Sequence, residues 1–284
     1  MDISKKRVWD AFAEYTSHYN ISDEKIKLKV DHTYRVANLC ERIAKSNGLS
    51  EEDVLLSWLT GMLHDVGRFE QIKNFGTFSD ADSIDHAHYG IKVLFEDKKL
   101  ADYIDIDVEA IEKYLEAKKM SDVDVVLKDK YEDIDIIYKA IWNHSAYRIE
   151  EGLDDRTVMF CDILRDADKI DILKVNHDIP MEEIYNVTTE QLKNEVVTEE
   201  VMKQFFEKHA VLRGSKKTSV DHIVGHAALV FELVYPDSLH IVEEQGYLKK
   251  LLEFESDNPV TNEQFKKLAK FMEEFILDLH CKHP

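Results

Sequence analysis

The sequence predicts an all-α protein that folds as one compact helical bundle, and three observations lead to this prediction. Helix-breaking residues are scarce, with 9 Gly and 4 Pro among 284 residues, and such a composition favours helices. Hydrophobic residues make up 44% of the chain, which is enough for a sizeable core. Apolar residues recur at helical spacing along most of the chain, without an internal repeat or linker. One compact domain over residues 1–284 is the simplest account.

Each predicted helix follows from its apolar spacing and from capping residues at its ends. The predicted helices cover residues 5–19, 24–47, 50–65, 85–95, 108–118, 134–143, 155–173, 219–234 and 261–280. Residues 69–82 are polar and contain Gly76, so we predict a loop there. Between residues 179 and 212 the pattern weakens, and the runs 184–187 and 195–198 are compatible with small strands or loops. We therefore predict a small irregular or β insertion around 179–212.

The composition also limits where the protein works and what it binds. The formal net charge is −20, and so acidic a surface repels nucleic-acid backbones and anionic membranes. A phosphorylated substrate then needs a local positive centre, which bound cations would supply. Cys40, Cys161 and Cys281 are odd in number and far apart, which indicates free thiols in a reducing compartment. Without a signal peptide or a run of about 18 apolar residues, the expected location is cytoplasmic.

A His-Asp pair, His64-Asp65, stands at the end of the apolar run 54–63, which reads as a buried helix. An imidazole and a carboxylate at the edge of a core cost several kcal/mol unless a partner satisfies them. A divalent transition metal satisfies both, because imidazole nitrogen and carboxylate oxygen are good ligands for it. The alternative is a core histidine that is bonded to a carboxylate without any metal. We expect Gly67 to end the helix and to let the backbone approach the site closely.

Six polar residues sit in otherwise apolar helical surroundings and together suit a pair of metal ions. They are His32, His64, Asp65, His86, His144 and Asp168. Two ions that share a carboxylate, each with about three protein ligands, keep open positions for water and substrate. Except for the adjacent pair, the six lie on different predicted helices, which a bundle can bring to one centre. His88 is the alternative to His86, and a substrate contact is the alternative role for His144.

A second pair of histidines, His222 and His226, has the i,i+4 spacing of a helical metal clamp. The pair lacks a third ligand nearby in the sequence. We therefore interpret these two residues as surface or substrate-pocket histidines.

The order of the six residues resembles the HD-domain metal-dependent phosphohydrolase superfamily. The matching motifs are His32 followed by RVA, His64-Asp65 within LHDVGR, His86 within HAHYG, His144 within WNH and Asp168 within DADK. The match covers about residues 30–173, so the resemblance implies an HD-type helical core there and a C-terminal helical extension over 174–284. The residues after His144 lack the His-Glu and Gly-Tyr-Pro signature of the cyclic-dinucleotide branch. The chain also lacks the synthetase or regulatory domains attached to alarmone hydrolases.

This resemblance implies a stand-alone hydrolase that cleaves a phosphate ester of a nucleotide or another small phosphorylated metabolite. Asp65 would bridge two ions. The remaining ligands would be His32, His64 and Asp168 for one ion, and His86 and His144 for the other. Mixed histidine and carboxylate ligation favours one or two ions of Mn, Fe, Ni, Co or Zn over Mg or Ca.

Arg68, Arg165 and Lys169 are candidate phosphate clamps, because a guanidinium offers a bidentate fork and an ammonium a point charge. Their alternative role is ion pairing with Asp166 and Asp171. We count Asp65, His64, Arg68 and Lys169 as the candidate catalytic residues. His88 joins Arg68, Arg165 and Lys169 as a candidate for substrate binding.

Two other functions are compatible with the same ligands. A minor branch of the superfamily, which includes inositol oxygenase, holds two irons and oxidises carbon with dioxygen. A metal-stabilised module for nucleotide binding or signalling is the non-enzymatic alternative. The intact ligand set favours an enzyme, because a degenerate module has no need to keep every ligand.

Overall fold

The computed structural model describes residues 1–119, 131–180 and 187–282, and within these ranges the chain is helical and contains no β-strand. This confirms the predicted all-α class. The described α-helices are α1 Lys5–Ser17, α2 Glu24–Ser46, α3 Glu51–Leu63, α4 Val66–Phe75, α5 His86–Ile91, α6 Leu100–Tyr103, α7 Val108–Lys118, α8 Glu132–Asn143, α9 Asp155–Asp178, α10 Thr189–Asn194, α11 Glu199–Phe206, α12 Ser219–Ala227, α13 Pro236–Gln245, α14 Tyr247–Leu252 and α15 Pro259–Lys282. Short 3-10 segments lie at Asp80–Asp82, Arg213–Ser215 and Ala228–Glu232, and a π turn lies at Lys92–Glu96.

Backbone contacts divide the chain into two compact units, Met1–Asp168 and Lys169–Pro284. Helix α9 contributes residues to both units. The single domain over residues 1–284 stays a prediction.

The first unit is built on the closely packed pair α2 and α3. Ser50 caps α3 by accepting a hydrogen bond from the backbone N–H of Asp53 at 3.1 Å. Three acidic residues in the first turn of α3 stabilise the helix, because its N-terminal end carries a partial positive charge. A Cβ atom at Gly61 would lie 2.6 Å from the Cα of Ala37, so glycine is required for the two helices to approach this closely. Because both helices carry site residues, this contact sets the spacing of the site.

The predicted loop over 69–82 is wrong for its first half, because residues 66–75 form helix α4. Phe69 and Ile72 lie on its buried side, with exposed fractions of 0% and 8%. The polar character of residues 69–82 suggested a loop. Gln71 is in fact turned inward, as is Arg68 just before the segment, and both bond other groups of the site. Gly76, which supported the loop prediction, instead ends the helix in a left-handed conformation with φ 66°.

Gly67 does not end a helix as expected, because α3 ends at Leu63 and Gly67 lies inside α4. The expected close approach of backbone is confirmed. A Cβ atom at Gly67 would overlap the carbonyl oxygen of His86 and would lie 2.6 Å from the amide nitrogen of Gly90. The α4–α5 contact is therefore made backbone to backbone, and it brings His86 to the turn that carries the His-Asp pair.

The second unit contains the remaining helices, and its core includes Phe205 of α11, Ile223 and Val224 of α12 and Leu268 of α15, all fully buried. Strands were one expectation for the region 179–212, and no strand occurs in its described part. Residues 189–194 and 199–206 form the short helices α10 and α11, and residues 195–198, which link them, have no regular secondary structure. The run 184–187 lies largely outside the described residues. A capping box at Thr188 stabilises the start of α10.

Two other sequence expectations can be compared with the structure. All three cysteines are free, with Cys40 and Cys161 buried and Cys281 exposed. Within the described ranges, no helix has the length and apolar character needed to cross a membrane.

Candidate metal centre

The six predicted ligands lie close together and come from five segments of the first unit. His32 lies in the middle of α2, the pair His64-Asp65 forms the turn between α3 and α4, and His86 is the first residue of α5. His144 caps the end of α8, and Asp168 lies within α9. The four histidines and Asp65 are at most 5% exposed. Four of these residues, His64, Asp65, His86 and His144, are at helix ends, where the chain changes direction and can aim a side chain across the core.

The two carboxylate oxygens of Asp65 face two different groups of histidines. Its Oδ2 atom is 3.6 Å from the Nε2 atoms of both His32 and His64. Its Oδ1 atom is 3.5 Å from the Nε2 of His86 and 3.9 Å from the Nε2 of His144. A carboxylate placed between two ligand groups in this way is suited to bridge two ions.

The first group contains His32, His64, Asp65 and Asp168. The Nε2 atoms of His32 and His64 are 3.3 Å apart. The Oδ1 of Asp168 lies 3.1 Å from the Nε2 of His32 and 3.9 Å from that of His64. Metal–ligand bonds of about 2.0–2.2 Å at tetrahedral or octahedral angles separate neighbouring ligand atoms by about 3.0–3.5 Å. The observed separations agree with that range to within a few tenths of an ångström.

The second group contains His86 and His144, whose Nε2 atoms are only 3.0 Å apart. Each of these rings uses its other nitrogen as a donor. The Nδ1 of His144 donates to the carbonyl oxygen of Ile141 at 2.7 Å, and the Nδ1 of His86 donates to the carboxylate of Asp80 at 2.9 Å. In the neutral rings both Nε2 atoms then carry lone pairs that point at each other. A cation between them removes this repulsion, so the ligand set fits a metal ion.

The same orientation applies to His64, whose Nδ1 lies 2.7 Å from the carbonyl oxygen of Gly61. Hydrogen bonds from the Nδ1 side fix the ring tautomer and leave Nε2 as the ligand atom. The sequence places each carbonyl acceptor three residues before its histidine, at the last turn of the helix. Helix ends with unpaired carbonyl groups therefore serve as supports for the metal ligands.

Burial keeps the histidines of the centre neutral, and nearby positive charge keeps Asp65 ionised. Burial is the main reason that the pKa of His86 falls from 6.5 to about 4, and the nearby charge of Arg68 lowers it further. Burial likewise lowers the pKa of His144 to about 4, with His64 contributing. Burial opposes ionisation of Asp65, but positive neighbours outweigh it and hold the pKa of this carboxyl well below its usual range. Neutral imidazoles and an ionised carboxylate are the forms that bind metals.

Two residues of the site were not predicted from the sequence. The Nζ of Lys29 lies 2.8 Å from Oδ2 of Asp65. Its position three residues before His32, on the same face of α2, was the signal that could have identified it. Asp80 supports His86 and also accepts a hydrogen bond from Arg68 at 2.7 Å. Asp80 lies in a polar segment without periodicity, which offered no comparable signal.

The predicted substrate-binding residues occupy different kinds of position. Arg68 is held by Asp80, by Gln71 and by the carbonyl oxygen of Phe78, each at 2.7 Å, and its Nε is 3.6 Å from Oδ1 of Asp65. His88 is exposed and stacks on Trp142, with ring centroids 3.7 Å apart. His86, not His88, is therefore the histidine that the structure brings to Asp65.

Arg165 is buried and bonded to backbone oxygens. Its Nη1 donates to the carbonyl oxygens of Asn143 at 2.7 Å and of Ala146 at 2.5 Å. These bonds hold the turn that carries His144, which gives Arg165 a structural role that the sequence did not suggest. The predicted phosphate contact of Arg165 gains no support from them. Lys169 is partly buried and is the first residue of the second unit, and its predicted role stays a prediction.

Comparison with known proteins gives two findings. The HD domain family matches residues 30–171 of the chain, a range that contains all six predicted ligands. A shorter match is to the 3'3'-cGAMP-specific phosphodiesterase 1 of Vibrio cholerae serotype O1, at 39% identity over 49 residues. That match covers 17% of this chain and 11% of the relative, so the chain spans about a tenth of the relative's length. No solved structure matches the chain.

Proposed function

Because this chain belongs to the HD domain family, we propose that it is a metal-dependent phosphohydrolase that cleaves a phosphate ester of a nucleotide or another small phosphorylated metabolite. The observation that carries the proposal is the division of Asp65 between two histidine groups, with separations of 3.5–3.6 Å to three of the four rings. A shared carboxylate between two ligand groups is the arrangement that hydrolases with two metal ions use. The partial likeness to a phosphodiesterase supports the same reaction class.

The proposal gives each ligand a place. Asp65 bridges the two positions. His32, His64 and Asp168 complete one position, and His86 and His144 complete the other. When bound there, a divalent transition metal lowers the pKa of a water molecule and neutralises phosphoryl oxygens.

The residues around the ligands position them and balance their charge. Lys29 holds Oδ2 of Asp65 at 2.8 Å and offsets part of its charge when the carboxylate has no other cation. Arg68 lies near the opposite oxygen and is itself fixed through Asp80. We therefore assign Arg68 to the orientation of Asp65 and His86, which replaces the phosphate-clamp role that its charge alone suggested. Asp80 keeps the Nε2 lone pair of His86 directed inward.

We propose a small phosphorylated substrate and not a cyclic dinucleotide. The relative is specific for 3'3'-cGAMP by name, but the residues after His144 lack the signature of the cyclic-dinucleotide branch. In addition, the matched stretch is 49 residues long, which is too short to include a complete set of ligands and pocket walls. The reaction class is therefore better supported than the substrate of that relative.

The proposal is tested by metal analysis of the purified protein, followed by a panel of phosphomonoesters and phosphodiesters with added Mn, Co or Ni. We expect bound transition metal and metal-dependent release of phosphate or cleavage of a diester. Asp65→Asn should lose both metal and turnover while its far-UV circular dichroism stays helical. Asp31→Asn is the matched control, because Asp31 adjoins His32 on α2 but is exposed.

Turnover at the wild-type level in Asp65→Asn would contradict the bridging role. Bound iron together with oxygen uptake and no phosphate release would replace the proposal with the oxygenase alternative. Nucleotide binding without turnover of any ester would replace it with the non-enzymatic module.

A further inference from the structure

The second unit contains a group of positively charged and imidazole side chains that the metal centre does not use. Its middle is Lys216, which follows the 3-10 segment Arg213–Ser215. The other members are Arg213, which begins that segment, and His222 and His226 on helix α12. The positive charge of this group contrasts with the net charge of −20 of the chain.

The side chain of Lys216 lies against the backbone of α12 at Gly225, on the helix face that carries the two histidines. His222, Gly225 and His226 share one face of the helix because their spacing is i, i+3, i+4. A Cβ atom built on Gly225 would lie 2.5 Å from the Cε of Lys216 and 2.7 Å from its Nζ. The lysine stem therefore lies directly on the glycine backbone, in a place that only glycine leaves open.

Within the described part of the chain, no anion contacts the ammonium group of Lys216. No hydrogen bond or ion pair of its Nζ occurs among the residues that the structure describes. Asp221 is the nearest candidate in the sequence, but both of its oxygens accept from the backbone. Its Oδ1 accepts from the N–H of Thr198 at 2.8 Å, and its Oδ2 accepts from the N–H groups of Lys217 and Thr218 at 2.8 and 2.9 Å.

The surroundings of Lys216 make its charge costly. Burial is the main reason that its pKa falls from 10.5 to about 8, and Arg213 lowers it further. Burial also lowers the pKa of His222 and of His226, with the charge of Lys216 as the second cause in each case. A desolvated charge without a contact partner is unfavourable unless a ligand supplies the missing counter-charge.

We infer that Lys216, with Arg213, His222 and His226 around it, binds a phosphate group. An ammonium provides both the charge for such an anion and three N–H donors for its oxygens. The group can belong to inorganic phosphate or to a phosphorylated metabolite, since both present the same oxygens. The site lies in the second unit, so the inference stands independently of the proposed hydrolase activity.

The test is a titration of the full-length protein with inorganic phosphate, and separately with glycerol phosphate, at pH 7 and constant ionic strength. Treatment with EDTA beforehand removes metal-dependent binding. The ring Cε1–H signals of His222 and His226 in NMR spectra, assigned with His→Gln variants, report on the site. We expect saturable shifts of these signals with at least one of the two compounds. Binding of the ester alone would identify a metabolite site, and equal binding of both would identify a site for the phosphate group itself.

Three variants distinguish binding at this site from non-specific attraction of phosphate to positive charge. Lys216→Gln should weaken binding at least tenfold. Gly225→Ala keeps every charge but displaces the ammonium, and should weaken binding severalfold. Lys217→Gln removes one charge from an exposed neighbour, and should leave the dissociation constant within twofold of the wild-type value.

Two results would overturn the inference. The first is the absence of saturable shifts with both compounds in the wild-type protein. The second is equal affinity in the wild type, Lys216→Gln and Gly225→Ala. Since Gly225→Ala displaces only the end of a flexible side chain, it supplies a folded test protein even if the lysine variant is unstable.

Discussion

Acidification of the metal-free protein should destabilise the first unit between pH 7 and pH 5, and His86 and His144 are the reason. Both have a folded-state pKa of about 4, below the usual value of about 6.5. In the unfolded chain these imidazoles take up protons as the pH falls below 6.5, while in the folded protein they remain neutral until about pH 4. Stability is therefore fully present above pH 6.5 and is lost as the pH falls through this window.

The size of the loss follows from the same values. In the unfolded chain, pH 5 lies about 1.5 pH units below the histidine pKa, and each unit corresponds to about 1.4 kcal/mol. In the folded protein the two imidazoles bind almost no protons at this pH. Each of the two histidines thus contributes a loss on the order of 2 kcal/mol, or about 4 kcal/mol together as an upper value.

The assay is urea unfolding of EDTA-treated protein, followed by tryptophan fluorescence at pH 7 and pH 5. Trp9, Trp58 and Trp142 are the three tryptophans of the chain and all belong to the first unit, so their signal reports on the unit that contains the metal centre. His86→Asn should reduce the loss between pH 7 and pH 5 by about 2 kcal/mol. His18→Asn serves as the control, because that ring is exposed, and should leave the loss unchanged. An identical loss in wild type and His86→Asn would refute the assignment of buried neutral histidines.

Three further predictions concern the residues that build and support the centre. Gly67→Ala should cost about 1–3 kcal/mol of stability by forcing α4 away from α5, and should lower metal content, whereas an unchanged melting temperature would show that the helices can separate freely. Asp80→Asn should weaken metal binding by about 10–100-fold, because it removes the acceptor that orients His86, and a competition titration with a chelator measures this. Lys29→Met should destabilise the metal-free protein by about 1–3 kcal/mol, since it leaves Asp65 without its nearest cation. Added metal should recover most of that loss in a thermal scan, and no recovery would contradict the role of Lys29 as a charge substitute.

Local sequence patterns predicted most of the described helices, and α4 is a missed helix whose polar residues face inward. The apolar run that ends at His64 forms helix α3 as predicted, because helical spacing and a serine cap are properties of neighbouring residues. Most of helix α4 was predicted as a loop because residues 69–82 are polar and contain Gly76, and neither Arg68 nor Gln71 looks buried in the sequence. Their side chains instead bond to Asp80, which only the folded chain brings near. Inward polar residues at a site are thus the places where pattern-based prediction is weakest.

The roles of charged residues also depended on tertiary contacts. Arg165 was a candidate for phosphate binding because of its charge and its place near Asp168. In the structure its guanidinium holds the carbonyl groups around His144. Lys29 received no role from the sequence but is the nearest cation to Asp65. The sequence does not show which group a charged side chain will contact, because that partner is brought near only when the helices pack.

The sequence by itself determined the helical class, the acidic surface and the identity of the six candidate ligands. Each of these follows from composition, from spacing within one helix or from a motif a few residues long. Only the tertiary structure decided that Asp65 divides its oxygens between two histidine groups and that Asp80 and Lys29 support it. It also decided that Lys216 lies against Gly225, on the face of α12 that carries His222 and His226. These arrangements join residues far apart in the chain, and close packing at small residues such as Gly61, Gly67 and Gly225 sets their distances.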